Sequence, residues 1–370
     1  MAEACASLIR DPLLRLKFLR RARIAPPEPE PQPRRWWMAT ALAALAFLIA
    51  AGVSAPSLVP RAARETRPAP GPAAGPAIPA GPSATVARVW LVEQTPDSET
   101  YSNGLRIERQ YAVAGQPRRY RAFARGVADG SRWLWRTEPA GIVFHSSESD
   151  ILPFEPGQNG PLVEHGRGLL AFARERAAYH FIVDRFGRVH SVVEETAKAD
   201  HAGHSIWADA DWVYVNLNSS FLAICFEAQT RPGNAFSPAQ IHAGKVLVEM
   251  LRSRYGILAG NCVTHAQVSV NPRNFCVGYH TDWATGFPFA EVGLPDNYEL
   301  LPPSLLLFGF EADSTYVNLS GAGLRKAVSI AEEQVRQAAE ARHQPLARYQ
   351  EGLRKSYAAM VAAAGGPAAM

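Results

Sequence analysis

The stretch from Tyr179 to Val193, YHFIVDRFGRVHSVV, decides the fold class. Two short runs rich in β-branched and aromatic residues flank the turn Asp184 to Gly187, which reads as two strands joined by a tight connection. Upstream, GIVFH (Gly141 to His145) has the length and apolarity of a buried strand, and Leu162 to Arg176 has helical composition. Downstream, FLAICFE (Phe221 to Glu227) is another apolar strand. Ser237-Pro238 then supplies an N-cap and a first-turn proline. The helix that follows places Ile241, Leu247, Val248, Leu251 and Tyr255 on its apolar face and stops at Gly256. Strands alternate with helices, so the pattern predicts an α/β fold with a mixed central sheet flanked by helices.

The N-terminal part has a different character. Trp36 to Ala55, WWMATALAALAFLIAAGVSA, carries no charge over a length that spans a bilayer as a helix, about 20 residues. Arg10, Arg15, Lys17, Arg20, Arg21, Arg23, Arg34 and Arg35 precede it, and Trp36-Trp37 stands where an interfacial aromatic belt would lie. Residues 1–35 therefore read as a basic cytoplasmic segment and 36–55 as a single-pass anchor in the cytoplasmic (inner) membrane. The bulk of the chain would then face the periplasmic or extracellular side. A signal peptide cleaved near Val53-Ser54-Ala55 is the rival reading. Residues 56–84, dominated by Pro, Ala and Gly, form a spacer that cannot bury enough side chain to fold.

Short β-like runs (VARVWLV, LRIERQYAV) make residues 85–137 a small β extension, and residues 138–290 hold the main domain. Residues 291–319, rich in Pro and aromatics, are expected to pack over its flank. Residues 320–362 show helical spacing in Leu324, Val328, Ala331, Val335 and Ala338, then in Leu346, Tyr349, Leu353, Tyr357 and Met360. Such a face docks on its own domain or, alternatively, on a second copy. With 370 residues and a net charge of +4, the chain is long enough for a sizeable core, and its modest charge gives no argument for a nucleic-acid partner.

The chemistry concentrates between Thr264 and Trp283, THAQVSVNPRNFCVGYHTDW. His265 and Cys276 offer an imidazole and a thiolate, donors that suit zinc, but the close-spaced ligand pairs of a structural zinc site are absent. The four cysteines, Cys5, Cys225, Cys262 and Cys276, are too few and scattered for a disulfide scaffold, and a Cys225–Cys262 pair stays open.

The motifs IVFHSS, YHFIVDRFGRV, HAGHS, AICFE and TH, followed by CVG and DW, occur in one order between Gly141 and Trp283. In that order the chain resembles the type 2 N-acetylmuramoyl-L-alanine amidases, a family that includes the peptidoglycan recognition proteins. The resemblance implies a zinc site with His145, His265 and Cys276 as ligands and one position open for water, with His280 as a competing ligand. It implies Glu227 as general base and Tyr179 as a hydrogen-bond donor to the developing oxyanion. His201 and His204 would touch glycan or peptide in the groove. The family lysine two residues before the third ligand is replaced by Asn274, with Arg273 adjacent. The expected function is zinc-dependent hydrolysis of the amide between the lactoyl group and L-alanine in peptidoglycan or muropeptides. The alternative is a non-catalytic peptidoglycan-binding module held at the membrane.

Overall fold

The computed structural model describes residues 86–127, 130–230 and 236–365. The basic segment, the apolar run 36–55 and the Pro/Ala/Gly spacer lie outside the described residues. Among the described residues no helix is long and apolar enough to cross a membrane.

The core is an eight-stranded mixed sheet. Its strands are β1 (Leu91–Gln94), β2 (Ser98–Tyr101), β3 (Arg106–Glu108), β6 (Gly141–Ser146), β7 (Phe181–Val183), β8 (Val189–Ser191), β11 (Phe221–Phe226) and β12 (Cys262–Thr264), in the order β1-β2-β3-β8-β7-β11-β6-β12. The four strands β7, β11, β6 and β12 run parallel, whereas the Asp184–Gly187 turn makes β7 and β8 an antiparallel pair. A second, antiparallel sheet has the order β5-β4-β10-β9, from β4 (Tyr120–Ala124), β5 (Trp133–Arg136), β9 (Ile206–Ala208) and β10 (Trp212–Val215).

The expected extension at 85–137 is thus built into both sheets. β3 pairs parallel to β8 through Ile107 and Val189, and β4 pairs with β10 through Phe123 and Val213. Strands this short, three to five residues, cannot bury a face alone, so they add to existing edges.

Helices cover both faces of the main sheet, and the side-chain period of two sorts β11 between them. Leu222, Ile224 and Phe226 join the cluster that contains Leu247, Met250 and Leu251 of α2 (Pro238–Tyr255). Cys225 packs on the opposite face with Ile182 and with Leu170 and Ala173 of α1 (Asn159–Arg176). The start of α2 is the expected one: Ser237 Oγ accepts from Gln240 N, Gln240 Oε1 accepts from Ser237 N, and Gly256 closes the helix at φ 64°. Cys225 and Cys262 are free thiols on strands separated by β6. Two strand spacings, ~9.6 Å, exceed the reach of a disulfide.

The remainder wraps the site side of this core. It comprises the one-turn α3 (His265–Val268), the ribbon of β13 (Val270–Asn271) and β14 (Cys276–Val277), and the helices α4 (Pro303–Phe308), α5 (Ser314–Leu319), α6 (Ala322–Ala341) and α7 (Leu346–Ala364). Leu324, Val328, Ala331 and Val335 of α6 are buried in the chain's own core, which is the docking reading of that face. The self-association alternative would need the same residues.

Gly278 has φ +70°, and a Cβ placed there would lie 2.0 Å from Tyr316 Cδ2 of α5. Gly278→Ala combines a left-handed backbone with a clash against a buried ring. We expect it to destabilise the fold by ~2–4 kcal/mol, read as a lowered denaturant midpoint at unchanged slope.

Candidate metal centre

β6 and β12 are parallel neighbours, with Thr264 opposite Phe144. His145 is the penultimate residue of β6 and His265 directly follows β12, so both imidazoles emerge at the carboxyl edge of the sheet, where open α/β sheets bind ligands. A single carboxylate joins them. Asp282 Oδ2 lies 3.2 Å from His145 Nδ1 and Oδ1 lies 2.9 Å from His265 Nδ1. One ligand atom from each of the three residues lies within 4.8 Å of the others.

The third member corrects the expectation of Cys276. That residue lies on β14, with Sγ 3.7 Å from its own loop carbonyl at Asn274 and with Glu311 and Asp313 as its nearby acids. Cys276 is not in the cluster. Burial and those carboxylates push its thiol up, away from the thiolate a ligand must be. The glycine after it serves the left-handed turn against Tyr316. The same shift moves the position two residues before the third ligand from Asn274 to His280, whose ring stacks on His265 at 4.7 Å and 17°. Asn274 instead closes its own turn, Oδ1 accepting from Cys276 N at 3.1 Å, and Arg273 beside it is exposed.

Asp282 is placed by its neighbours. Its carbonyl accepts from Ala266 N at 3.1 Å, and the next residue, Trp283, is buried and stacked on Phe236 at 4.7 Å. Tyr316 Oη donates to Ala266 O at 3.0 Å, so α5 fastens the turn that carries His265. Burial opposes the Asp282 charge, but His265 and His145 outweigh it and hold the carboxyl far below the usual carboxylate range. Burial, with the neighbouring His265, holds His145 at about 4, so its imidazole is neutral near pH 7.

Tyr179 and His201 complete the inner wall. Tyr179 sits at φ 61°, a strained conformation for a non-glycine residue, with its ring 5.1 Å from that of His145. The Cys225 thiol beside it, together with burial, pushes its hydroxyl up, so it remains a donor. His201 faces inward: Nδ1 is 3.1 Å from His145 Nε2, and burial drives its pKa well below the ordinary value. This differs from the groove contact expected for His201. His204, three residues on, is exposed.

Glu227 is not brought to the cluster. Its buried carboxylate accepts from Arg185 N at 3.1 Å and faces Gly166 of α1, and burial raises its pKa. The residue paired with His145 in the sheet is Cys225. Burial pushes that thiol well up, so it is a neutral neighbour and not a base. The sequence reading therefore missed the roles of Asp282 and Cys225, and took His280 as a competing ligand where its ring stacks on that of His265. Strand register is the signal for Cys225, since its partner in β6 is His145.

Two neutral-capable imidazoles and one ionised carboxylate match the three-ligand set of catalytic zinc sites. Against this geometry stands a match of residues 135–282 to the family profile described as N-acetylmuramoyl-L-alanine amidase. Residues 135–282 belong to that family. Among solved structures, this amidase segment and its surroundings are similar to the N-acetylmuramoyl-L-alanine amidase AmiD from E. coli, at 20% identity over 62% of this chain and 91% of that one, with a TM-score of 0.33. AmpDh3 from Pseudomonas aeruginosa matches at 21% identity over 42% of this chain and 58% of that one, TM-score 0.32. LysC from Clostridium intestinale URNW matches at 17% identity over 49% and 93%, TM-score 0.28. No curated protein sequence matches the chain.

Asp282→Ala is expected to abolish stoichiometric zinc binding, whereas Cys276→Ala should retain it, as read by elemental analysis of dialysed full-length protein. Acid should also destabilise the metal-free fold. The folded-state pKa of His145 lies below its unfolded value of ~6.5, so its contribution is present above that pH and is lost as pH falls toward about 4. Asp282, also depressed, loses its contribution below the unfolded value of ~3.9. The signs agree, and thermal melts of chelator-treated protein from neutral pH down to pH 4 should show a steady fall.

Proposed function

We propose that the chain is a zinc-dependent N-acetylmuramoyl-L-alanine amidase, cutting the lactoyl to L-alanine amide of peptidoglycan or muropeptides. The observation that carries this reading is the convergence of His145, His265 and Asp282 at the carboxyl edge of two parallel strands inside the family-matched segment. These three residues would hold the zinc. Bound there, zinc supplies a Lewis acid for the scissile carbonyl and lowers the pKa of a coordinated water.

The protein's own residues supply the rest. Tyr179, neutral and against the His145 ring, donates a hydrogen bond to the oxygen that gains charge during attack on the amide. His201 fixes the His145 ring through its second nitrogen, the support that ligating histidines ordinarily receive. His280, exposed and stacked on His265, takes the position at which the resemblance places a lysine. An imidazole there can carry a proton between water and leaving amine, which a lysine ammonium serves less readily near neutral pH. The anchor reading of 36–55, supported by its flanking arginines and paired tryptophans, would hold the domain on the outer side of the membrane.

One observation favours a second reading. The position in register with His145 is a protonated thiol, and Glu227 is engaged elsewhere, so Asp282 is the one carboxylate in the cluster. A peptidoglycan-binding module would need no base.

Zinc-loaded full-length protein is expected to release free stem peptide from muropeptides, detected by mass. Asp282→Ala should abolish release, and Tyr179→Phe should lower kcat by ~10²-fold with KM little changed, the loss expected of an oxyanion donor. His280→Ala should lower kcat and remove a limb of its pH profile. Stoichiometric zinc with tight muropeptide binding and no released peptide would select the binding module.

A further inference from the structure

A second concave site lies outside the metal centre. A cleft of about 530 Å³ opens between β4–β5, the 198–205 and 215–219 loops and the last turns of α7. Its charge is one-sided: Arg119, Arg121, Lys198 and His204 line it, and among the described residues no carboxylate does. Among the described residues none of these three permanent cations forms an ion pair.

The arginines are held in place by stacking. Residues 119 and 121 share a face of the extended chain, and Arg121 is directly opposite Trp135 across the β4–β5 pair. The Arg119 guanidinium lies 4.1 Å from the centre of the Trp135 ring, and that of Arg121 lies 4.3 Å from Trp133 and 4.8 Å from Trp135. Stacking fixes each guanidinium plane while leaving its N–H edge available. Arg121 donates one N–H to Ala363 O at the end of α7, while its Nε is buried without an acceptor. The amide-bearing Asn216 and Asn218 also line the cleft.

We propose that this cleft binds a phosphate-bearing ligand, with Arg119, Arg121 and Lys198 as its anion contacts. Three cations, two of them held by stacking, exceed what one carboxylate neutralises. A phosphate group brings ~1.5–2 negative charges and three acceptor oxygens, and a diphosphate brings more. The half-exposed Trp135, already stacked against the two guanidinium groups, leaves apolar surface beside the cations for whatever carries the phosphate. The cleft straddles the boundary of the family-matched segment, with Arg119, Arg121 and the α7 residues outside it and Lys198 within it, and none of His145, His265 and Asp282 lines the cleft.

The test is calorimetric titration of the zinc-loaded full-length protein with inorganic pyrophosphate, repeated with succinate. The Asp282→Ala variant, expected to lack zinc, is titrated in parallel to remove coordination by the metal. Saturable pyrophosphate binding that persists in Asp282→Ala, exceeds succinate binding and weakens with salt is expected. Arg119→Gln and Lys198→Gln should each weaken it about tenfold, while Arg348→Gln, an exposed cation of α7 outside the cleft, should leave it unchanged. Unchanged melting temperatures verify that the variants are folded. Co-sedimentation with phosphatidylglycerol vesicles, compared with phosphatidylcholine, separates a lipid headgroup from a free phosphate. Vesicle binding lost in the same two variants assigns the headgroup, and its absence beside pyrophosphate binding assigns a soluble ligand. The proposal is overturned if neither probe binds, if succinate matches pyrophosphate, or if Arg119→Gln and Lys198→Gln bind as the unaltered protein does.

Discussion

One carboxylate clamped between two imidazoles organises this half of the molecule. Asp282 is 13% exposed at its side chain and accepts from or opposes both His145 and His265. A buried charge of this kind costs several kcal/mol unless its partners are fixed, so the elements that place those partners are constrained together. Two strand ends must be adjacent and parallel, which fixes β6 and β12. The loop from Cys276 must then return to the same edge, which requires the β13–β14 ribbon, the left-handed Gly278 and an anchored Trp283.

That return depends on residues well outside the family-matched segment. Tyr316 packs where a side chain on Gly278 would stand and donates to Ala266 O beside His265. Phe287 stacks on Phe144 at 4.2 Å, one residue before His145. Helix α5 and the loop that carries Phe287 are therefore part of the frame that sets ligand positions, through the Ala266 carbonyl beside His265 and the Phe144 ring beside His145.

This also explains what the sequence could and could not disclose. The two histidines were legible because each ends an apolar strand, and parallel strands deliver such residues to one edge. The helix from Ser237 to Gly256 was legible because capping is local chemistry. The third ligand was not. A glycine two residues after Cys276 suggested the family's motif, yet Gly278 answers to the Tyr316 ring, and the carboxylate six residues beyond Cys276 reaches the histidines by a path that only the folded loop defines. Glu227 failed for a geometric reason. Cys225 is level with His145, and Glu227 is one pleat repeat, ~6.6 Å, further along the chain. Placement of β3 and β4 in two different sheets depends on pairing between distant segments, which composition does not encode.

The metal centre and the basic cleft share a wall. Asn218 Oδ1 accepts from the backbone N–H of His201 at 3.1 Å and of Ala202 at 2.7 Å, and Asn218 itself lines the cleft. His201 in turn supports the His145 ring. The loop between them is short: Gly203 and His204 are exposed, His204 O accepts from Val270 N, Ser205 O accepts from Asn216 N, and Ser205 Oγ is tied to Gly203 O and to Leu217 N. A ligand that drew on the Asn218 amide would therefore act on the same two backbone N–H groups that set the position of His201. Coupling in such an arrangement needs no long pathway, because Asn218 lines the cleft while its Oδ1 holds the backbone that carries His201 and its Nδ2 donates to Asp200 Oδ1 at 3.3 Å.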